Sequence, residues 1–288
     1  MMGFVNIDKP KGKTSHDVVA ILRRLLKIKQ IGHTGTLDPM ATGVLPVAIG
    51  KASRLIEYLK EDKAYIADLE FGKISDTYDI EGNIEKYSDV KVSKNQVIDA
   101  LKTFDGEIEQ IPPAHSAVHY KGKRLYELAR QGIIPDDIPK RKVYIKKAVL
   151  LEFDEENQFA KIEIECSKGT YIRSIVNDLG MMLDCGAVMT GLIRIKSGLF
   201  TIKDSVNLTE NTTPENIASS LINPLDILDF KQKELSDTEA EKIKNGQAIV
   251  TNEYCDGEFV YLKKNNILYA IAQKDDSKNL LITKKVFI

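Results

Sequence analysis

Asp38 is the residue of this chain most open to a chemical reading. It stands in Gly32-His33-Thr34-Gly35-Thr36-Leu37-Asp38-Pro39-Met40-Ala41-Thr42-Gly43, where three glycines and a proline interrupt any regular period as an ordered loop would. An aspartate in such a loop either caps a turn through local hydrogen bonds or, aimed at a substrate, serves as a nucleophile. Carboxylates capture anomeric carbons in glycoside chemistry, and the same group can add to C6 of a pyrimidine. A glycosidase ordinarily needs a second carboxylate as acid, and no paired motif stands out beside Asp38. Arg173 falls in the first turn of a periodic helix, where the helix dipole disfavours a cation, so it calls for an acidic partner. On residue type alone, Tyr65 is a strand aromatic and His33 a loop hydrogen-bonding residue.

Nothing in the chain asks for a metal or a cofactor. The cysteines, Cys166, Cys185 and Cys255, are odd in number and lack Cys-x-x-Cys spacing, and His16, His33, His115 and His119 form no ligand motif. Catalysis is expected to use side chains alone.

The surrounding elements follow from periodicity. A short apolar strand is expected over residues 3–7, then a turn through Lys9-Pro10-Lys11-Gly12-Lys13 and a helix N-cap at Thr14 or Ser15. Val18, Ile21, Leu22, Leu25 and Ile28 recur at helical spacing. A strand is expected over 65–71, a polar, turn-rich stretch over 72–83, and helices over 95–104 and 124–131. Residues 161–166 alternate as a half-buried strand. After Lys168-Gly169, the residues Ile172, Ile175, Val176, Leu179 and Met182 mark the apolar stripe of a helix that carries Arg173 beside it.

With 288 residues, 43% hydrophobic and 29% charged, the chain is expected to fold as about two soluble domains. The absence of an apolar run of roughly 20 residues and of a secretory leader points to the cytoplasm. The division expected is a catalytic body over residues 1–230, with a protruding basic segment at about 112–142, and a small β-rich module over 231–288. A formal net charge of −1 does not advertise a nucleic-acid binder. Basic residues nevertheless gather in four clusters: Lys9 to Lys13, Arg23-Arg24 with Lys27 and Lys29, Lys121 to Arg124, and Lys140-Arg141-Lys142 with Lys146-Lys147. Any one of these is ordinarily a solvated face. Four of them flanking the chemical residues fit contact with phosphates.

The loop string continues through Val44-Leu45-Pro46, and as a whole it resembles the nucleophile motif of the TruB family of pseudouridine synthases. The resemblance extends to Asp8-Lys9-Pro10-x-Gly12-x-Thr14-Ser15, Lys63-x-Tyr65, Gly122-x-Arg124-Leu125-Tyr126-Glu127-x-Ala129-Arg130-x-Gly132, and Gly169-Thr170-Tyr171-Ile172-Arg173. It implies an α/β (α+β) fold with a mixed, mainly antiparallel sheet and flanking helices, followed by a PUA-like C-terminal RNA-binding domain. It also implies isomerisation of the T-loop uridine at tRNA position 55. In that scheme Asp38 is the nucleophile, Arg173 pairs with it, Tyr65 stacks on the base and acts as a base in the rearrangement, and Leu192 is an apolar wall. His33 contacts RNA near the flipped nucleotide, and Lys9 contacts phosphate. The implied partner is the tRNA T-arm stem-loop, bound by a monomer. At Ala114, His115 and His119 the chain departs from the family, which usually carries a bulky residue and a lysine there.

Overall fold

In the computed structural model, which describes residues 1–60, 62–275 and 277–288, the body is organised on a sheet of ten strands among the described residues. Its main path runs Val206–Asn207, Gly3–Lys9, Thr42–Ile49, Ala187–Ser197, Lys63–Phe71, Phe159–Cys166, Arg141–Asp154, Gly106–Gln110. Ile31–His33 pairs with Thr42–Ile49, and Phe200–Thr201 pairs with Ala187–Ser197. Neighbours are antiparallel except where Thr42–Ile49 meets Ala187–Ser197 and where Gly3–Lys9 meets Val206–Asn207.

Phe159–Cys166 buries Ala160, Ile162, Ile164 and Cys166 while its intervening residues stay outward, the alternation of a half-buried strand. Thr42–Ile49 shows no such alternation. From Gly43 to Ile49 every residue is buried, as befits a strand covered on both faces.

Helix Ser15–Leu26 starts at a capping box in which the Thr14 hydroxyl accepts from the Asp17 amide and the Asp17 carboxylate accepts from the Thr14 amide. It packs Val18, Val19 and Leu22 among Val5, Ile7, Leu45 and Val47. Helix Ile172–Met182 sinks Ile172, Ile175, Val176 and Leu179 into a second cluster with Leu69, Ile162, Ile164 and Met189. Leu37, Tyr65 and Leu192 belong to that same cluster.

Where a protruding segment was expected up to 142, a hairpin of His119–Tyr120 and Lys123–Arg124 leads into a single-turn helix, Leu125–Ala129. Arg141 and Lys142 already belong to the 14-residue strand Arg141–Asp154. That strand has charged residues at most outward positions and register shifts against its neighbour, which hides its period in the sequence.

The C-terminal residues form a five-stranded sheet ordered Lys231–Glu234, Phe259–Lys264, Ile267–Asp275, Leu280–Val286, Ile249–Val250. Helix Asp237–Lys244 packs Ala240 and Ile243 onto Val260, Leu262 and Ala270. Tyr261, Leu268, Ile271 and Phe287 join Phe4, Val44, Ala48 and Leu55 in one apolar cluster. The Tyr261 hydroxyl donates to the Pro224 carbonyl at 2.8 Å, so this sheet shares a core with the body.

Candidate active site

The loop that carries Asp38 is held from beneath through its backbone. The Leu37 amide donates to Ser15 Oγ at 2.8 Å, and the Gly12 amide donates to the Pro39 carbonyl at 2.8 Å. Arg194, on Ala187–Ser197, donates through Nε to the Val44 carbonyl at 2.6 Å, through Nη2 to Gly35 at 3.1 Å and through Nη1 to Thr36 at 3.5 Å. Gly43 completes the fit: its φ is +97°, and a Cβ there would lie 2.3 Å from the Arg194 carbonyl oxygen, a position only glycine tolerates. With these carbonyls engaged inward, the Asp38 side chain turns out and keeps 35% of its surface exposed.

Lys9 does not do what the sequence suggested. It is fully buried, and its ammonium donates to the carbonyls of Lys13 at 2.5 Å, Pro10 at 3.1 Å and Pro39 at 3.2 Å. As the last residue of Gly3–Lys9 it points under the loop, and burial pushes its ammonium down to about 8. It fastens the nucleophile loop to the first strand, and no phosphate reaches it there.

Arg173, 6% exposed, brings Nε to 3.1 Å from Asp38 Oδ2 and Nη2 to 3.4 Å from Oδ1, a two-point grip that fixes the carboxylate plane. Its far side is occupied too. Nη1 lies 3.3 Å from Asp79 Oδ2 and donates to the Thr77 carbonyl at 3.1 Å, and Nη2 donates to the His115 carbonyl at 3.2 Å. Asp79 is itself buried and accepts from the Thr77 hydroxyl at 2.7 Å and the Glu81 amide at 3.0 Å.

Asp38 and Arg173 border a cavity of about 300 Å³ lined also by Tyr65, Leu192, Tyr171 and Lys63, the small end of the range for ligand pockets. Tyr65 is buried, and burial raises its phenol above the ordinary value. Tyr171 is positioned by Gln110, whose side-chain amide donates to the Tyr171 carbonyl at 2.9 Å while its oxygen accepts from the Tyr171 amide at 2.7 Å. The structure thus brings Asp38, Tyr65, Arg173 and Leu192 together. His33 lies outside this cavity, edge-on to His16 with ring centres 5.8 Å apart; its Nδ1 is buried without a partner, and burial lowers its pKa. A larger cavity of about 490 Å³, between Thr34, Tyr58, Leu199 and Phe230, shares only Lys63 with the first among the described lining residues. It holds none of the four residues that meet at Asp38.

Sequence reasoning missed Asp79, Arg194 and Tyr171. The demand of Arg173 for an acidic partner pointed toward one carboxylate, and the second lay hidden in a polar turn. Arg194, between Ile193 and Ile195, reads as the outward member of an alternation, whereas Leu192 and Arg194 are buried and Ile193 is the exposed one.

Residues 23–172 match the TruB family pseudouridylate synthase (N terminal domain). The tRNA pseudouridine synthase B of Clostridium acetobutylicum is 46% identical over 224 residues, 77% of this chain and 76% of that protein. The proteins of the same name from Clostridium perfringens and Trichormus variabilis are 38% and 41% identical, the first covering 96% of both chains and the second 100% of this chain and 99% of its own. Among solved structures, a chain of a Cbf5–Nop10–Gar1 complex superposes with a TM-score of 0.70 at 25% identity, covering 99% of this chain and 85% of that one. With the Asp38 loop inside the matched residues and relatives aligned along its whole length, the chain belongs to the TruB family of pseudouridylate synthases.

Proposed function

We propose that this pseudouridine synthase acts on the T-arm of tRNA, converting the uridine at position 55 to pseudouridine with Asp38 as nucleophile. The observation that carries the reading is the Asp38 carboxylate, gripped at two points by Arg173 and facing a cavity walled by Tyr65 and Leu192. The full-length relatives are named as tRNA enzymes of this kind.

The reaction breaks the N1–C1′ bond, turns the freed uracil and rejoins it through C5. Because the uridine is stacked within the T-loop, the base must first be extruded. Tyr65 then offers an aromatic face in place of the lost stacking, and Leu192 closes the cavity opposite water. Asp38, oriented by Arg173, enters at C1′ or at C6. Both routes converge on an intermediate bonded from C5 to C1′ that still carries the C5 hydrogen. Tyr65 removes that hydrogen as a proton, the C–H electron pair forms the C5=C6 double bond, and N1, receiving the displaced pair, takes a proton from solvent. Asp79 is buried and paired with Arg173, so it is not free to serve as the acid of a hydrolase.

In this reading His33 contacts RNA beside the flipped nucleotide. Lys121, Lys123 and Arg124, on the exposed hairpin of the 112–142 segment, meet phosphates and set register without reading sequence. The sheet over 231–288 is a PUA-like RNA-binding module, and the protein works as a cytoplasmic monomer. No helix among the described residues is long and apolar enough to cross a membrane.

The test is tritium release from tRNA transcripts labelled at uridine C5. Release by the native chain, lost with Asp38→Ala and with a transcript lacking the T-loop uridine, is the expected result. Tight tRNA binding without release would overturn the proposal in favour of a binding protein.

A further inference from the structure

Among the described residues Arg194 is the largest fully buried side chain, and no carboxylate there lies within ion-pair distance of it. Buried arginines are ordinarily paired with an acid. Among the described residues its hydrogen bonds go to the carbonyls of Gly35, Thr36 and Val44, which solvate the charge without cancelling it. A net positive charge is therefore left inside the body. Its register partner on Lys63–Phe71 is Tyr65; residues directly opposed on antiparallel strands share a face, with Cβ atoms roughly 5 Å apart. Arg194 and Tyr65 thus face one another across the two strands, and the guanidinium charge acts on the phenol in the sense that favours its ionised form.

The other groups facing the Tyr65 hydroxyl work against its ionisation. Burial raises the phenol most, the Cys166 thiol from Phe159–Cys166 and the Asp38 carboxylate from the nucleophile loop add to that, and Arg194 opposes them. The Cys166 thiol is itself pushed up to about 11 by burial. Lys63, Arg173, His115 and Tyr171 complete the titratable lining of the cavity among the described residues.

We propose that Arg194 is a positioning residue for the isomerisation, whose buried charge, set opposite Tyr65 without a carboxylate partner, favours the Tyr65 phenolate as the base for the C5 proton. The inference rests on the reading of Tyr65 as that base. Before the step the phenol gives its proton to solvent. In the step the C5–H bond breaks and its proton ends on the Tyr65 oxygen, while its electron pair forms C5=C6, the C6=N1 pair moves onto N1, and N1 takes a proton from solvent. The phenol is regenerated with no other reactant. The same guanidinium also anchors the nucleophile loop, so one side chain aligns the group that attacks and the group that deprotonates.

The experiment compares turnover of tRNA transcripts carrying protium or deuterium at uridine C5, across pH, for the native chain, Arg194→Gln, Arg194→Lys and Tyr65→Phe. With Arg194→Gln the acid limb of the pH–rate profile is expected to move up by about one pH unit, since an opposite charge at this range shifts a pKa by that order. A C5 isotope effect larger than the native one should accompany it. Arg194→Lys keeps a cation and should be slower with its limb unmoved, and this variant carries the test if Arg194→Gln does not fold. Uniform slowing of Arg194→Gln at every pH with no added isotope effect, or a shifted limb for Arg194→Lys, would overturn the inference and leave Arg194 as a loop buttress. Tyr65→Phe separates the two readings. If it turns over with no added isotope effect, the base assignment fails and this inference with it. If it shows the effect while Arg194→Gln does not, only the role of Arg194 fails.

Discussion

Asp79 and Asp38 are held by the same guanidinium. Arg173 sets Nη1 3.3 Å from Asp79 and Nε 3.1 Å from Asp38, and carbonyls of Thr77 and His115 take up further donors. Buried Asp79 thus fixes the arginine from behind, and the arginine fixes the half-exposed Asp38 in front. The arrangement is one of orientation, in which a buried residue governs, through Arg173, how the Asp38 carboxylate lies.

Asp79→Asn preserves shape and a hydrogen-bond acceptor but removes the inner counter-charge of Arg173. The expected outcome is a fall in kcat of roughly 10- to 100-fold, the scale of a misaligned reacting group. KM for tRNA should stay within about threefold. Steady-state kinetics check this, and a loss carried wholly by KM would contradict it.

Lys9→Met is expected to act on stability and leave phosphate recognition alone. Loss of a buried charged donor to three carbonyls should cost about 1.5–3 kcal/mol in denaturant unfolding. The slope of log affinity for tRNA against log salt should not change. A phosphate contact would instead flatten that slope by about one.

Legibility in the sequence followed what each residue's neighbours disclose. The Asp38 loop was visible because glycine and proline break every period around it, and Ile172–Met182 was visible because its apolar stripe is uninterrupted. Thr42–Ile49 was not visible as a strand, since burial on both faces leaves no alternation to detect. Lys9 sits in a lysine-rich turn that reads as a phosphate contact; only the register of Gly3–Lys9 against Thr42–Ile49 shows it beneath the loop. Asp79 and Arg194 are polar residues buried by tertiary contacts alone, which no local pattern announces.

Acidification should weaken the fold at His33. Burial sets its folded pKa below the ordinary 6.5, with neighbouring His16 and Arg194 acting in the same direction. As pH falls below about 6.5 the unfolded chain therefore binds the proton first, and stability declines until the folded-state pKa is passed. Unfolding free energies at pH 7.5 and 5.5 should differ less for His33→Gln than for the native chain. An equal acid loss in both would contradict this assignment.

Gly43→Ala places a Cβ 2.3 Å from the Arg194 carbonyl at a φ of +97°. Strain of this kind costs about 1–3 kcal/mol, and the displaced strand carries the nucleophile loop with it. Thermal unfolding and turnover should both fall, and a native melting temperature with native turnover would show that the close approach is relaxed at no cost.

The most direct measurement is the nucleoside balance of a T-arm stem-loop after incubation with the native chain and with Asp38→Ala. The account predicts one pseudouridine gained per uridine lost, no free uracil, and no change with Asp38→Ala. Free uracil in place of pseudouridine, or pseudouridine formed without Asp38, would contradict it.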